Sequence, residues 1–196
     1  MRSSAEAAPG AWWTLCGVAA AGALLAWPLP TALNDWQPAL AGPQPWRWWS
    51  AAFVHWSPMH LGANLAGVAV LAAFGWAAAL PVRAAVAWAL AWPLTQGTLL
   101  LQPALAHYGG LSGVLHAGVA VGATVLVLQR RGQARAIGAA VGAGLLLKIL
   151  LERPWAGPLA HPAGWDIAVA PLAHAGGALA GLVCALLVAW PRMQAR

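Results

Sequence analysis

The sequence predicts an all-α integral membrane protein, a single domain over residues 1–196 with six transmembrane helices. Three observations predict this fold class. Hydrophobic residues make up 61% of the chain and charged residues only 7%, whereas about a quarter of the residues in a soluble domain are charged. The apolar residues fall into runs of about 20, the length that crosses a bilayer as a helix. Basic residues collect on one side of these runs, as in most membrane proteins.

Proline, glycine and charged residues mark the ends of the predicted helices. Gly10 precedes the first helix, which continues through Trp27 without a clear signal-peptide cleavage site, so we interpret it as a membrane span. Pro81 separates the second helix from the third, and Gly132 separates the fourth from the fifth. Further prolines follow the third, fifth and sixth helices. The predicted ranges are Ala11–Leu29, Met59–Leu80, Arg83–Leu101, Ser112–Gln129, Arg135–Leu151 and Pro171–Trp190.

The basic residues orient the bundle. If the N-terminus is cytoplasmic, so is the C-terminus, and seven of the ten lysines and arginines lie on the cytoplasmic side. The net charge of +6 then reflects membrane topology, and we expect no nucleic-acid partner. The cytoplasmic residues are Arg2, Arg83, Arg130, Arg131, Arg135, Arg192 and Arg196, and the others are Arg47, Lys148 and Arg153.

The tryptophans and cysteines are assigned structural roles. Many of the 14 tryptophans lie at predicted helix ends, where an aromatic belt anchors a protein at the membrane interface. Cys16 and Cys184 lie inside apolar runs, so we interpret them as small core residues and not as a disulfide or metal site. The tryptophans assigned to the belt are Trp12, Trp13, Trp27, Trp46, Trp48, Trp49, Trp155 and Trp190.

Polar side chains lie near the starts of the second, fourth and sixth helices, which all run inward from the outer face in this topology. Ser112 begins the fourth helix, and His174 lies just inside the sixth. His60 and Asn64 share one face of the second helix, at i and i+4. An ionisable side chain inside a span is costly and therefore a functional-site candidate, and a histidine can activate a serine as a nucleophile. We predict one outward-opening polar pocket that contains this pair.

Glycines near Ser112 and His174 favour close approach of their helices. Small residues let membrane helices pack closely, and two glycines form a stripe below His174. Two more glycines flank Ser112 and leave N–H groups at the helix start free to bind a developing oxyanion. The predicted packing glycines are Gly113, Gly177 and Gly181, and the predicted oxyanion residues are Asn64, His60 and Gly110.

Acidic residues are scarce, and none of the four lies inside the second, fourth or sixth helix. We therefore predict a Ser–His dyad with no acidic residue to orient His174. Lys148 and Glu152 stand at i and i+4, and we interpret them as an ion pair at the interface, with a substrate contact as the alternative. The acidic residues are Glu6, Asp35, Glu152 and Asp166.

Simpler interpretations of the same residues exist. A serine inside a membrane helix is most often a packing hydroxyl, and glycine repeats occur in many helical bundles. A zinc site is an alternative, but the chain has no His-Glu-x-x-His pattern, and no acidic or thiolate ligand is close in the sequence. The joint occurrence on three helices at one depth favours a serine site, and we expect neither a cofactor nor a metal. The histidines considered for zinc are His55, His60, His107, His116 and His174.

These motifs resemble those of the rhomboid intramembrane serine proteases, over approximately residues 46–190. A Trp-Arg segment at 46–55 precedes the second helix, and His-x-x-x-Asn stands at 60–64. Gly-x-Ser-Gly stands at 110–113, and Ala-His-x-x-Gly-x-x-x-Gly at 173–181. Each motif alone is weak, whereas the ordered set with six spans is specific.

The resemblance implies a six-helix rhomboid-like bundle in which Ser112 is the nucleophile and His174 the base. It implies that Asn64, His60 and the Ser112 backbone bind the oxyanion, and that the fifth helix and the loop after it gate substrate access. In many rhomboids a tyrosine four residues after the serine stacks on the catalytic histidine. His116 occupies that position here.

Gly-Leu-Ser-Gly-Val-Leu-His at 110–116, the compact length, and Lys148 with Glu152 resemble the rhombosortase branch most. This implies a bacterial inner-membrane enzyme whose active site opens to the periplasmic or extracytoplasmic side. The implied partners, besides the lipid bilayer, are single-span exported proteins. Their C-terminal sorting tails have a glycine-rich motif, one transmembrane helix and a basic end.

Three rival functions remain. A catalytically inactive rhomboid-like binding or chaperone protein is disfavoured because both Ser112 and His174 are present. A small transporter or channel is disfavoured because the two halves show no inverted repeat and no matching pair of broken helices. A metal-dependent membrane hydrolase would be sensitive to chelators.

Overall fold

A computed structural model describes residues 10–193, and the long regular elements of this region are all helices. The fourth helix has the predicted bounds, and the other helix ends differ from the predicted ones by up to four residues. The long helices are α1 (Gly10–Ala26), α2 (Pro58–Ala77), α3 (Val82–Gly97), α4 (Ser112–Gln129), α5 (Gly132–Glu152) and α6 (Pro171–Met193).

Five of these helices are long and apolar enough to cross a membrane. They are α2, α4, α5, α6 and α3 together with its 3-10 continuation Thr98–Leu101. The sixth helix, α1, is apolar but shorter, at 17 residues. The chain is therefore an all-helical, multi-pass membrane protein, while the count of six spans and the sides of the termini stay predictions.

Local sequence explains where the helices that carry the polar residues begin and end. Ser57 caps α2, because its Oγ accepts a hydrogen bond from the backbone N–H of His60 at 3.0 Å, and Pro58 occupies the first helical position. The last residue of α5 is Glu152, and Arg153 ends the helix in the left-handed conformation at φ 53°. The fifth helix thus includes Glu152, one residue beyond its predicted end at Leu151.

The core is built around α4. Of the membrane-length segments in the described chain, that of α4 is 61% buried and that of α5 only 6%. Trp12 and Trp88 lie in the core with ring centroids 4.6 Å apart, and each indole N–H donates to a backbone carbonyl. The assignment of Trp12 to an interfacial belt is wrong, because its side chain is fully buried. Its N–H is satisfied by the carbonyl of Leu71, which lets the ring leave the polar interface.

The first loop packs against the segment that precedes α4. Asp35, in the first loop, makes the central polar contacts. The Arg47 guanidinium donates to Asp35 Oδ1 at 2.9 Å, and His107 Nδ1, in the segment before α4, lies 2.5 Å from Asp35 Oδ2. Backbone bonds in both directions join Trp36 to Tyr108. These contacts fix the turn that leads into Ser112.

Arg83 and Arg130 lie at the opposite end of the bundle from Ser112. Arg130 donates to the carbonyls of Ala78 and Ala79, just beyond the end of α2, and Arg83 pairs with Gln129 at the end of α4. This places basic residues at one end and the polar residues of the predicted pocket at the other. Arg2, Glu6 and Arg196 lie outside the described residues, as do the side chains of Trp190 and Arg192.

Candidate active site

Ser112 and His174 are brought together by the starts of two neighbouring helices. Ser112 is the first residue of α4, and His174 is the fourth residue of α6. The Oγ atom of Ser112 lies 2.9 Å from Nε2 of His174, within hydrogen-bonding distance. His174 is buried, with 5% of its surface exposed. The geometry is that of a hydroxyl paired with a base.

Glycines allow α4 and α6 to approach this closely. A Cβ atom on Gly177 would collide with the carbonyl oxygen of Gly113, and one on Gly181 would collide with that of Ala117. A Cβ on Gly113 would lie 2.8 Å from the carbonyl oxygen of Ala173. All three predicted packing glycines therefore lie in the α4–α6 contact, and any larger residue would force the helices apart.

The turn before Ser112 depends on Gly110. Its φ of +121° is a conformation that residues with a side chain rarely adopt, and a Cβ there would lie 2.5 Å from His60 Nε2. The Gly110 N–H donates to Ala51 at 2.9 Å, and the Tyr108 hydroxyl donates to the Gly110 carbonyl at 3.2 Å. Burial raises the pKa of Tyr108 to about 12, so its hydroxyl stays protonated as a donor. Sequence reasoning missed Tyr108, although it is the only tyrosine in the chain.

Asn64 and His60 project from α2 toward the same turn. Both are buried, at 5% exposure each. Asn64 Nδ2 and His60 Nδ1 have no hydrogen-bond partner among residues 10–193. A buried polar atom without a partner is costly, which makes it a candidate to bind substrate. His60 is held between two rings, stacked on Trp56 and tilted against His55, and burial lowers the pKa of His55.

His116 lies flat on the imidazole of His174. The ring centroids are 4.2 Å apart and the planes differ by 8°. His116 Nδ1 lies 2.6 Å from the carbonyl oxygen of Ser112, one turn earlier in α4. Since a carbonyl only accepts, Nδ1 of His116 carries the proton in this bond. The ring is thereby fixed from its own helix and covers one face of His174.

Glu152 corrects the prediction of a dyad without an acidic neighbour. Glu152 Oε2 lies 2.6 Å from His174 Nδ1, on the side of the ring opposite Ser112. Its other oxygen, Oε1, accepts from Lys148, so the predicted ion pair is present. The sequence pattern does not connect Glu152 with His174, because Glu152 lies outside the second, fourth and sixth helices. The available signal was position, since Glu152 ends α5 at the end of the bundle where α6 begins.

A cavity of about 680 Å³ opens beside these residues. Its walls come from α2, α4, α5, the start of α6 and the loop between α5 and α6, and most of its lining is apolar. The loop is tied to the start of α2, because Ser57 Oγ donates to Asp166 Oδ1 at 2.8 Å. A cavity of this size accommodates a short extended peptide segment. Its polar lining residues are His60, Asn64, Ser112, His116, Lys148, Glu152 and His174.

The five histidines considered for zinc do not converge in the described chain. The His107 side chain pairs with Asp35 in the first loop, and His55 Nδ1 contacts the Phe53 carbonyl. His116, Glu152 and His174 do place ligand atoms within 4.8 Å of one another. However, the two imidazoles are stacked, so their in-plane lone pairs lie in separate, nearly parallel planes and do not meet, whereas the ligands of a tetrahedral zinc ion converge on one point. This trio is not arranged as a zinc site.

The family model described as Rhomboid domain matches residues 42–191, from the first loop into the last turn of α6. No curated protein matches the chain.

Proposed function

Because the chain belongs to the rhomboid family, we propose that it is an intramembrane serine endopeptidase in which Ser112 is the nucleophile and His174 its general base. One observation carries the proposal. The Ser112 hydroxyl lies 2.9 Å from His174 Nε2 at the edge of a largely apolar cavity. A serine within reach of a buried imidazole is the arrangement that acyl transfer requires.

The reaction begins when part of a substrate helix enters the cavity from the membrane and unwinds, which exposes a backbone carbonyl. Ser112 Oγ forms a bond to the carbonyl carbon while its proton passes to His174 Nε2. The tetrahedral intermediate then collapses, and the C–N bond breaks as His174 returns the proton to the leaving amine. Water attacks the resulting ester and gives a proton to His174. The ester C–O bond then breaks as His174 passes this proton to Ser112 Oγ, which releases the carboxylic acid and restores both residues.

Donors for the oxyanion surround the nucleophile. Backbone N–H groups at the start of α4 have no helical acceptor and carry the positive end of the helix dipole. Asn64 Nδ2 has no partner in the described chain, and His60 lies against Gly110. We propose that these groups bind the negative oxygen that forms in the transition state.

The membrane orientation is also a proposal. The polar cavity and the arginines of the inner loops lie at opposite ends of the bundle. Under the positive-inside rule the arginine end is cytoplasmic, and the active site then opens to the extracytoplasmic side. We place the protein in a bacterial inner membrane, with six spans and both termini in the cytoplasm.

For substrates, we propose single-span exported proteins with rhombosortase-type C-terminal tails. The supporting residues are His116, which ends the Gly-Leu-Ser-Gly-Val-Leu-His segment, and the Lys148–Glu152 pair. Both lie at the cavity that a tail would occupy. A glycine-rich stretch unwinds from a helix at low cost, which suits cleavage there.

Cleavage in proteoliposomes tests the function. The substrate is a reporter with a glycine-rich stretch, one transmembrane helix and a basic end, compared with a reporter whose glycines are replaced by leucines. We expect wild-type protein and Ser50→Ala to cut the first reporter, because the Ser50 hydroxyl donates to the Asn34 carbonyl, outside the cavity. Ser112→Ala should be inactive. Wild-type activity in Ser112→Ala would overturn the proposal, and equal cutting of both reporters would reject the tail preference alone.

A further inference from the structure

Three side chains from three helices form a continuous hydrogen-bonded line. Ser112 Oγ is 2.9 Å from His174 Nε2, and His174 Nδ1 is 2.6 Å from Glu152 Oε2. Ser112 starts α4, Glu152 ends α5 and His174 lies in the first turn of α6. We propose that Glu152 is a positioning residue for His174, so that the site works as a Ser–His–Glu triad. This inference rests on the proposed protease function.

The tautomer of His174 is the first reason to assign Glu152 a positioning role. A carboxylate has no proton to donate, so the bond at Nδ1 requires the imidazole to carry its proton there. Nε2 is then left with a lone pair, which is what accepts the Ser112 proton. Without an acceptor at Nδ1, the ring can place its proton on Nε2 and lose its function as a base.

The positive charge that His174 gains during the reaction is the second reason to assign Glu152 this role. When His174 takes the Ser112 proton it becomes an imidazolium, almost fully removed from water. A carboxylate 2.6 Å from the opposite nitrogen stabilises that positive charge, more strongly than it would in bulk solvent. Glu152 therefore stabilises the imidazolium form of His174 that develops in the transition state.

The carboxylate is itself held in place. Lys148, one turn earlier on α5, binds Oε1 and leaves Oε2 facing His174. If Lys148 and Glu152 formed only a surface ion pair, the second oxygen would face solvent instead of a buried ring. The lysine thus selects the orientation of the carboxylate.

A purely structural role is the competing explanation. In the described chain α5 packs chiefly along α4 and is the least buried of the membrane-length segments. The Glu152–His174 bond also ties the outer end of α5 to α6. Glu152→Gln separates the two roles, because its amide oxygen can still accept from Nδ1 while the charge is lost and the preference for one tautomer weakens.

The test measures inactivation of the purified protein by a fluorophosphonate, which reports chemistry as the maximal rate kinact and binding as KI. We expect Glu152→Gln to lower kinact about 10- to 1,000-fold, with KI and the thermal midpoint near wild type. Glu152→Asp should recover part of the rate lost in Glu152→Ala. The control is Arg153→Gln, which changes an exposed charge one residue away and should leave both constants unchanged.

The outcomes distinguish a failure of the triad from a failure of the protease function. Normal kinact in Glu152→Gln, with labelling still abolished in Ser112→Ala, would overturn the triad and leave the protease. Wild-type protein that neither labels nor cleaves would overturn the protease, and the triad with it. Nitrogen-15 NMR of labelled imidazoles gives a readout independent of activity: the proton should be on His174 Nδ1 in the wild type, and an unchanged proton position in Glu152→Ala would contradict the positioning role.

Discussion

His116 stacks face to face on His174, with centroids 4.2 Å apart, and its Nδ1 donates to the carbonyl of Ser112. The residue one turn after the proposed nucleophile thus holds the ring of the proposed base. Ser112, His116 and His174 form one packed unit. Its geometry depends on a flat side chain at position 116.

Removal of this ring should misalign the base. We expect His116→Ala to lower the rate of fluorophosphonate labelling about tenfold, since stacked ring pairs contribute about 0.5–1.5 kcal/mol. His116→Tyr should stay within about threefold of wild type, because it restores a flat ring at the same position. The control is His161→Ala, an exposed histidine in the loop between α5 and α6. Equal rates in His116→Ala and wild type would show that the stack has no role in catalysis.

Gly177→Ala should separate Ser112 from His174. Its Cβ would collide with the carbonyl oxygen of Gly113, so α4 and α6 must move apart. A displacement of about 1 Å can reduce a rate about 100-fold, and overpacking costs about 1–3 kcal/mol of stability. The matched control is Gly17→Ala on α1, where a Cβ meets no atom within 4 Å. Labelling and thermal unfolding measure both effects, and a fully active Gly177→Ala protein would contradict the packing argument.

Asn64 should act on the transition state and not on folding. Its Nδ2 has no hydrogen-bond partner in the described chain, so Asn64→Ala removes a donor that the folded protein itself does not use. We expect kcat for reporter cleavage to fall about 100- to 1,000-fold, with little change in KM or thermal midpoint. Asn64→Asp should be at least as impaired, because it replaces the donor with an acceptor. A large change in KM alone would mean that Asn64 binds ground-state substrate.

Tyr108 should make stability depend on pH at the alkaline end. Burial raises its pKa from 10.0 to about 12, so the unfolded chain loses this proton at a lower pH than the folded protein does. The hydroxyl therefore favours unfolding increasingly as pH rises from 10.0 to about 12 and has no such effect below that range. Thermal midpoints of wild type should fall more steeply over this window than those of Tyr108→Phe. Parallel curves would contradict the buried, protonated hydroxyl.

Residues with local signals were predicted best. The glycines before Ser112 and the arginines after Gln129 mark the two ends of α4. The motifs likewise place Ser112 at the start of one helix and His174 near the start of another, and the structure brings these two helix starts together. Trp12 was misplaced because α1 is apolar on every side, so its sequence does not show which face is buried. Glu152 was missed because its bond to His174 depends on how the end of α5 packs beside α6, which periodicity within one helix does not encode.

The assignment of Ser112 as the nucleophile is tested by fluorophosphonate labelling of the purified protein, with the adduct mapped by mass spectrometry. Wild type and Ser50→Ala should be labelled on Ser112, whereas Ser112→Ala and His174→Ala should remain unlabelled although folded. That pattern would establish a serine activated by His174. An adduct on another residue, or labelling that survives Ser112→Ala, would contradict the assignment of the nucleophile.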